Sequence, residues 1–122
     1  MNGYESLKSN MNFQNVYKNG VSYANKYLVM YVKTGESGPS RYGFSVSKKV
    51  GNSVVRHHIT RLLRESVRKN DALVKEGNRI IIVARKGYDI VIIARANLKG
   101  KNYADTESAL LHLLRLHKIL SI

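Results

Sequence analysis

The chain has 122 residues, 43% of them hydrophobic, with 21 Lys and Arg against 8 Asp and Glu, a single proline and no cysteine. Such a length supports one core, burying roughly 65% of the unfolded surface, so residues 1–122 read as a single domain. The missing thiols exclude a disulfide framework and a thiolate metal site, and no apolar run reaches the roughly 18 residues of a membrane span. A net charge of +13 costs self-repulsion that a polyanionic partner would relieve, with nucleic acid ahead of an anionic membrane. The polar start MNGYESLKSN does not read as a secretory signal, so a cytoplasmic protein with no membrane association is expected.

Near the start, SLKSNMNFQNVYKNG spaces Phe13, Val16 and Tyr17 as on a helix, predicted over about residues 6–18 with Gly20 as its stop. SYANKYLVMYVKT reads as a strand by its β-branched and aromatic content. Alternation sets Tyr23, Tyr27, Val29 and Tyr31 on one face and Ala24, Leu28, Met30 and Val32 on the other. After the turn TGESGPS, RYGFSVSKK is predicted as a second strand antiparallel to the first.

Beyond Gly51 the period changes from two to 3.6, and Asn52 or Ser53 is available as N-cap. Val55, Ile59, Leu62, Leu63 and Ser66 fall on one side of this helix. His57, Arg61, Arg64 and Arg68 fall within about 60° of each other on the opposite side, with Arg56 and Thr60 flanking them. Residues 41–69 carry eight of the cations against one acid, Glu65.

Further on, RIIIVAR at 79–85 and DIVIIAR at 89–95 repeat at an interval of ten. Both read as buried strands, with KGY between them as a hairpin turn. YADTESALLHLLRLHKIL closes the chain as an amphipathic helix with Leu110, Leu113, Leu114 and His117 along one side and Asp105 and Glu107 at its start. The element order predicts an α+β fold with helices on a small sheet.

The chemistry narrows from there. His57 and His58 are consecutive and point about 100° apart on a helix, and His112 and His117 are five apart, so neither pair forms a metal site. The acids make no motif, and no nucleophile elbow, P-loop or two-metal cluster is present, so no catalytic residues are assigned. The cationic stripe reads either as a solvated helix face or as a phosphate-binding surface. Its preference for arginine, whose planar fork matches phosphate, and the scarcity of acidic i+4 partners favour phosphate. Phe13, Tyr17, Tyr27 and Tyr31 read either as core or as a platform for stacking single-stranded bases.

The run RYGFSVSKKVGNSVVRHHITRLLRES resembles the protein subunit of bacterial ribonuclease P, whose signature passes through a GFSVSKKVGN strand and turn into an arginine-rich helix. The likeness extends to LKSNMNFQNVYKNGVSYANKYLVMYV, DIVIIAR and ESALLHLL. It implies an αβββαβα, ribosomal S5 domain 2-like fold: a small mixed β-sheet packed with three main helices, with a left-handed βαβ crossover against the usual right-handed rule. It also implies an RNA-binding subunit of a tRNA-processing endonuclease, a ribonucleoprotein hydrolase that removes the 5′ leader of precursor tRNA. Its Mg²⁺ ions and chemistry would reside in the catalytic RNA, with none bound by a protein motif.

By the same resemblance, Lys48, Lys49, Asn52, Arg56, Arg61 and Arg64 are the expected RNA-binding residues, and His57 and Arg68 join them from the same stripe. Phe13, Tyr17 and Tyr31 are the expected leader-binding residues. A ribosomal-type structural RNA-binding module would explain the charge but not the aromatic cleft. Two departures stand out. Where the family reads Arg-Asn-Arg, this chain reads Arg56-His57-His58, with Thr60 near a usually basic position. Neutral groups release fewer counterions, so weaker affinity for the RNA subunit and a pH dependence at His57 are expected. Residues 79–85 look like an inserted strand copy, either a new edge or a displacement of the family strand.

Overall fold

The computed structural model describes residues 4–37, 39–74 and 86–120. In chain order these form β1 (Tyr4–Ser6), α1 (Asn10–Asn19), β2 (Val21–Ala24), β3 (Leu28–Ser37), β4 (Ser40–Ser45), α2 (Ser53–Asn70), β5 (Lys86–Ala94) and α3 (Tyr103–Leu116). The strands make one mixed sheet in the order β1-β4-β5-β3-β2. The architecture is the α+β sheet with three helices that the sequence predicts, with a short additional strand at its start.

Helix α1 starts later than its periodicity suggests, because the Ser9 side chain accepts from Asn12 N at 3.1 Å and sets the N-terminus. The residues before it are drawn into the sheet, where β1 pairs in parallel with β4. Gly20 does close α1, but in an extended conformation at φ −90°. Glycine is required there for room, since a Cβ would sit 2.6 Å from the Val16 carbonyl oxygen.

The stretch SYANKYLVMYVKT forms two strands rather than one. Asn25 makes the break: its Oδ1 accepts from Tyr27 N at 3.1 Å and Leu28 N at 2.9 Å, an Asx turn that reverses the chain. β2 then pairs antiparallel with β3. The predicted common face of Tyr23, Tyr27 and Tyr31 does not survive this reversal. Tyr27 packs toward the larger core, Tyr31 toward the smaller one, and Tyr23 stands edge-on to His117, 4.7 Å between ring centroids.

Strands β3 and β4 run in opposite directions, as predicted, but are not neighbours. β5 lies between them, antiparallel to β3 and parallel to β4. Ile90, Val91 and Ile92 are wholly buried, and a strand that is apolar on both sides is stable only where both faces are covered. The predicted turn KGY is the first part of β5. DIVIIAR is therefore the strand that fills the central slot and has not been displaced from it. The predicted strand at 79–85 lies outside the described residues.

The sheet separates two apolar clusters. On one face, α2 and α3 bury Leu28, Met30, Ile59, Leu63, Ile90, Ile92, Leu110, Leu113 and Leu114. Each such side chain contributes about 1.5–3 kcal/mol by leaving water. On the other face α1 covers a smaller cluster of Leu7, Val16 and Val91 with Phe13, Tyr17, Tyr31 and Ile93 at its margin. Two polar ties lock the layers. Tyr42 of β4 donates its hydroxyl to Asp71 Oδ1 at 3.0 Å, and Asn70 at the end of α2 donates to Glu107 of α3 at 2.8 Å.

Candidate nucleic-acid interface

Helix α2 holds its cations rigidly because its other side is anchored. Ile59, Leu63, Ser66 and Val67 are buried, while His57, His58, Arg61, Arg64 and Arg68 are exposed. The 3.6-residue period places the two sets on opposite sides. Arg56, Arg61 and Arg64, with His57 and His58, line an open groove of about 970 Å³ whose apolar wall includes Phe44 and Val46. Arg61 and Arg64 form no salt bridge among the described residues. The half-buried Arg56 has an Nε without a hydrogen-bond partner there.

Not every predicted RNA-binding residue stands free. Asn52 is the N-cap of α2, its Oδ1 accepting from Val55 N at 3.0 Å. Arg68 pairs with Glu65 one turn earlier, an exposed pair of the kind worth little. Thr60 donates its hydroxyl to the Arg56 carbonyl at 2.9 Å, so that proton is not offered to a phosphate. Lys48 and Lys49 are exposed in the loop between β4 and α2. Arg41, counted in the basic segment, instead lies against the buried Asp89, the first residue of the predicted strand DIVIIAR.

The three aromatic residues assigned to leader binding come together between α1 and the sheet. Tyr17 stands edge-on between Phe13 and Tyr31, with ring centroids 6.4 and 5.0 Å away. All three are half-buried, so each is packed at its base and open at its rim. The Tyr17 hydroxyl has its pKa raised, chiefly by burial and also by Tyr31, against the lowering effect of a hydrogen bond with Ser45. It therefore stays a neutral donor and acceptor at physiological pH. Gly43 of β4 supplies the floor of this cleft, since a Cβ there would lie 2.4 Å from Phe13 Cζ. The motif GFS contains this glycine, and only the strand register shows what it accommodates.

The described residues contain no group of three His, Asp or Glu side chains placed to hold a metal ion, and no described helix is long and apolar enough to cross a membrane. A cationic helix face and an aromatic cleft on an α+β frame are the surfaces expected of a protein that binds a polyanion. The family model described as Ribonuclease P matches residues 1–118. The ribonuclease P protein component of Lachnoclostridium phytofermentans is 59% identical over 96% of this chain and 92% of its own length. That of Alkaliphilus metalliredigens is 45% identical over 99% and 100% respectively.

Among solved structures, the RNase P protein of Staphylococcus aureus superposes with a TM-score of 0.77 at 32% identity, covering 94% of this chain and 96% of that one. The Thermotoga maritima RNase P protein gives 0.76 at 28% identity, covering 92% and 96%. The chain belongs to the ribonuclease P protein family.

Proposed function

We propose that this chain, as the protein subunit of a cytoplasmic ribonuclease P, grips the catalytic RNA through the exposed side of α2 and receives the 5′ leader of precursor tRNA in the cleft between α1 and the sheet. The observation that carries the reading is the pairing of two unlike surfaces on one rigid frame. Arg61 and Arg64 offer planar guanidinium forks suited to phosphate oxygens. The rims of Phe13, Tyr17 and Tyr31 offer sequence-tolerant stacking to an unpaired strand. Hydrolysis is assigned to Mg²⁺ ions held by the RNA, and the protein adds substrate affinity.

Reconstitution with a cognate ribonuclease P RNA at low Mg²⁺ tests this directly. The protein is expected to raise 5′-leader cleavage, and Arg61→Ala with Arg64→Ala to weaken RNA binding and flatten the salt slope by ~0.7–0.9 per lost contact. RNA binding without any gain in cleavage would favour a purely structural RNA-binding module.

A further inference from the structure

Three loops leave one end of the sheet side by side: residues 25–27, 46–52 and 95–102. β4 and β5 are parallel and end together at the pair Ser45 and Ile93, and antiparallel β3 begins opposite that end, Leu28 facing Ala94. With strands about 4.8 Å apart, the three exits fall within about 10 Å. Together the loops hold Lys26, Lys48, Lys49, Arg95, Lys99 and Lys101 and not one Asp or Glu.

All six cations are exposed, and none has a carboxylate partner among the described residues. Two of them converge: Lys26 Nζ lies 5.6 Å and Lys101 Nζ 5.7 Å from the centroid of the same Tyr27 ring. That ring is anchored by packing against the larger core. Residues 25–27 are also tied to residues 95–102 and to α3. Arg95 Nη1 donates to the Asn25 carbonyl at 2.9 Å, Arg95 N to the Tyr27 carbonyl at 2.9 Å, and Asn25 Nδ2 to the Ala109 carbonyl at 2.9 Å.

Two ammonium groups held near one aromatic ring repel each other, and a bound anion turns that repulsion into attraction. We propose that this loop cluster, centred on Tyr27 with Lys26, Lys99 and Lys101, is a further RNA-contact surface that takes the sugar–phosphate backbone of a folded RNA. Lysine point charges around an aromatic ring they already occupy suit phosphate positioning, not base readout. The partner is therefore structured RNA rather than the unpaired leader. The proposal rests on the catalytic RNA being the partner, as argued above.

The test measures affinity for the ribonuclease P RNA against salt for K26Q/K99Q/K101Q, for K26R/K99R/K101R and for R61A/R64A. A further arm measures holoenzyme affinity for precursor tRNA as a function of leader length. The Gln variant is expected to bind the RNA more weakly, with a log–log salt slope shallower by about 2–3. The Arg variant should keep the native slope, and dependence on leader length should not change. An unaltered slope in the Gln variant beside a flattened one in R61A/R64A overturns this surface alone, and unaltered slopes in both overturn the assignment of the partner as well. A Gln-variant defect confined to leader-length dependence also refutes the proposal, because the surface would then belong to the leader path.

Discussion

Arg41 holds Asp89 with two parallel hydrogen bonds, Nε to Oδ1 at 2.9 Å and Nη2 to Oδ2 at 2.8 Å, joining β4 to β5. The carboxylate is almost wholly enclosed while a third of the Arg41 side chain remains exposed. Removing the carboxylate would leave a cation among partners suited to an ion pair, and removing the guanidinium would leave a buried charge unmatched. Asp89→Ala is predicted to cost about 2–4 kcal/mol, less than a fully buried pair because Arg41 keeps some water. Urea unfolding measures this, and a midpoint within error of wild type refutes it. The double change R41M/D89L should recover much of the loss.

The floor under Phe13 gives a second test. Adding one methyl in Gly43→Ala forces the ring off its seat, and such overpacking typically costs about 1–3 kcal/mol. Since Phe13 belongs to the cleft and not to α2, the variant should lose affinity for leader-bearing precursor tRNA relative to leaderless tRNA. Its affinity for the RNA subunit should stay near wild type. Equal losses in both measurements would mean that Phe13 packs without serving the leader.

Asn52 separates capping from contact. Its Oδ1 satisfies Val55 N at the start of α2, and Asn52→Ala should destabilise the protein by about 1 kcal/mol. Asn52→Ser restores the cap without the amide NH₂. RNA affinity recovering with serine assigns Asn52 the task of holding α2 in place, whereas affinity lost in both variants assigns it a direct contact.

His117 sets a pH dependence of folding. Its Nε2 lies 3.0 Å from the Met30 carbonyl oxygen, which accepts its proton. Burial lowers its pKa below 6.5, only partly offset by that carbonyl. Between the folded value and 6.5 the unfolded chain binds more protons than the native one. The stability due to this site is therefore complete above 6.5 and lost as pH falls through the folded value. The urea midpoint should drop between about pH 7.5 and 5.5 in wild type and drop less in His117→Gln. Equal slopes in the two proteins would remove His117 as the cause.

How much of this was legible in the sequence depends on the range over which each feature is set. α2 and α3 are written locally: a 3.6-residue period in Val55, Ile59, Leu62, Leu63 and in Leu110, Leu113, Leu114, with asparagine caps at Asn52 and Asn102. The cationic stripe follows from the same period. β1 escaped because three polar-leaning residues, Tyr4, Glu5 and Ser6, carry no alternation and gain strand geometry only from pairing with β4. The position of β5 between β3 and β4, the Arg41–Asp89 pair and the seat of Phe13 on Gly43 are all long-range. The split of the tyrosines onto two faces turned on one Asx turn at Asn25. That residue reads as polar and unremarked until its Oδ1 is seen to close the reversal.

Successive residues of β5 look in opposite directions. Ile90 and Ile92 lie under α2 and α3, whereas Val91 and Ile93 lie beneath the aromatic cleft. A single strand is thus a party wall between the bed of the arginine helix and the floor of the aromatic cleft. Losing or gaining one residue in it would exchange the two sets of side chains wholesale. Evolution can retouch either surface at its rim, through the lysines, arginines and aromatic edges, but it can move this wall only by remaking both rooms at once.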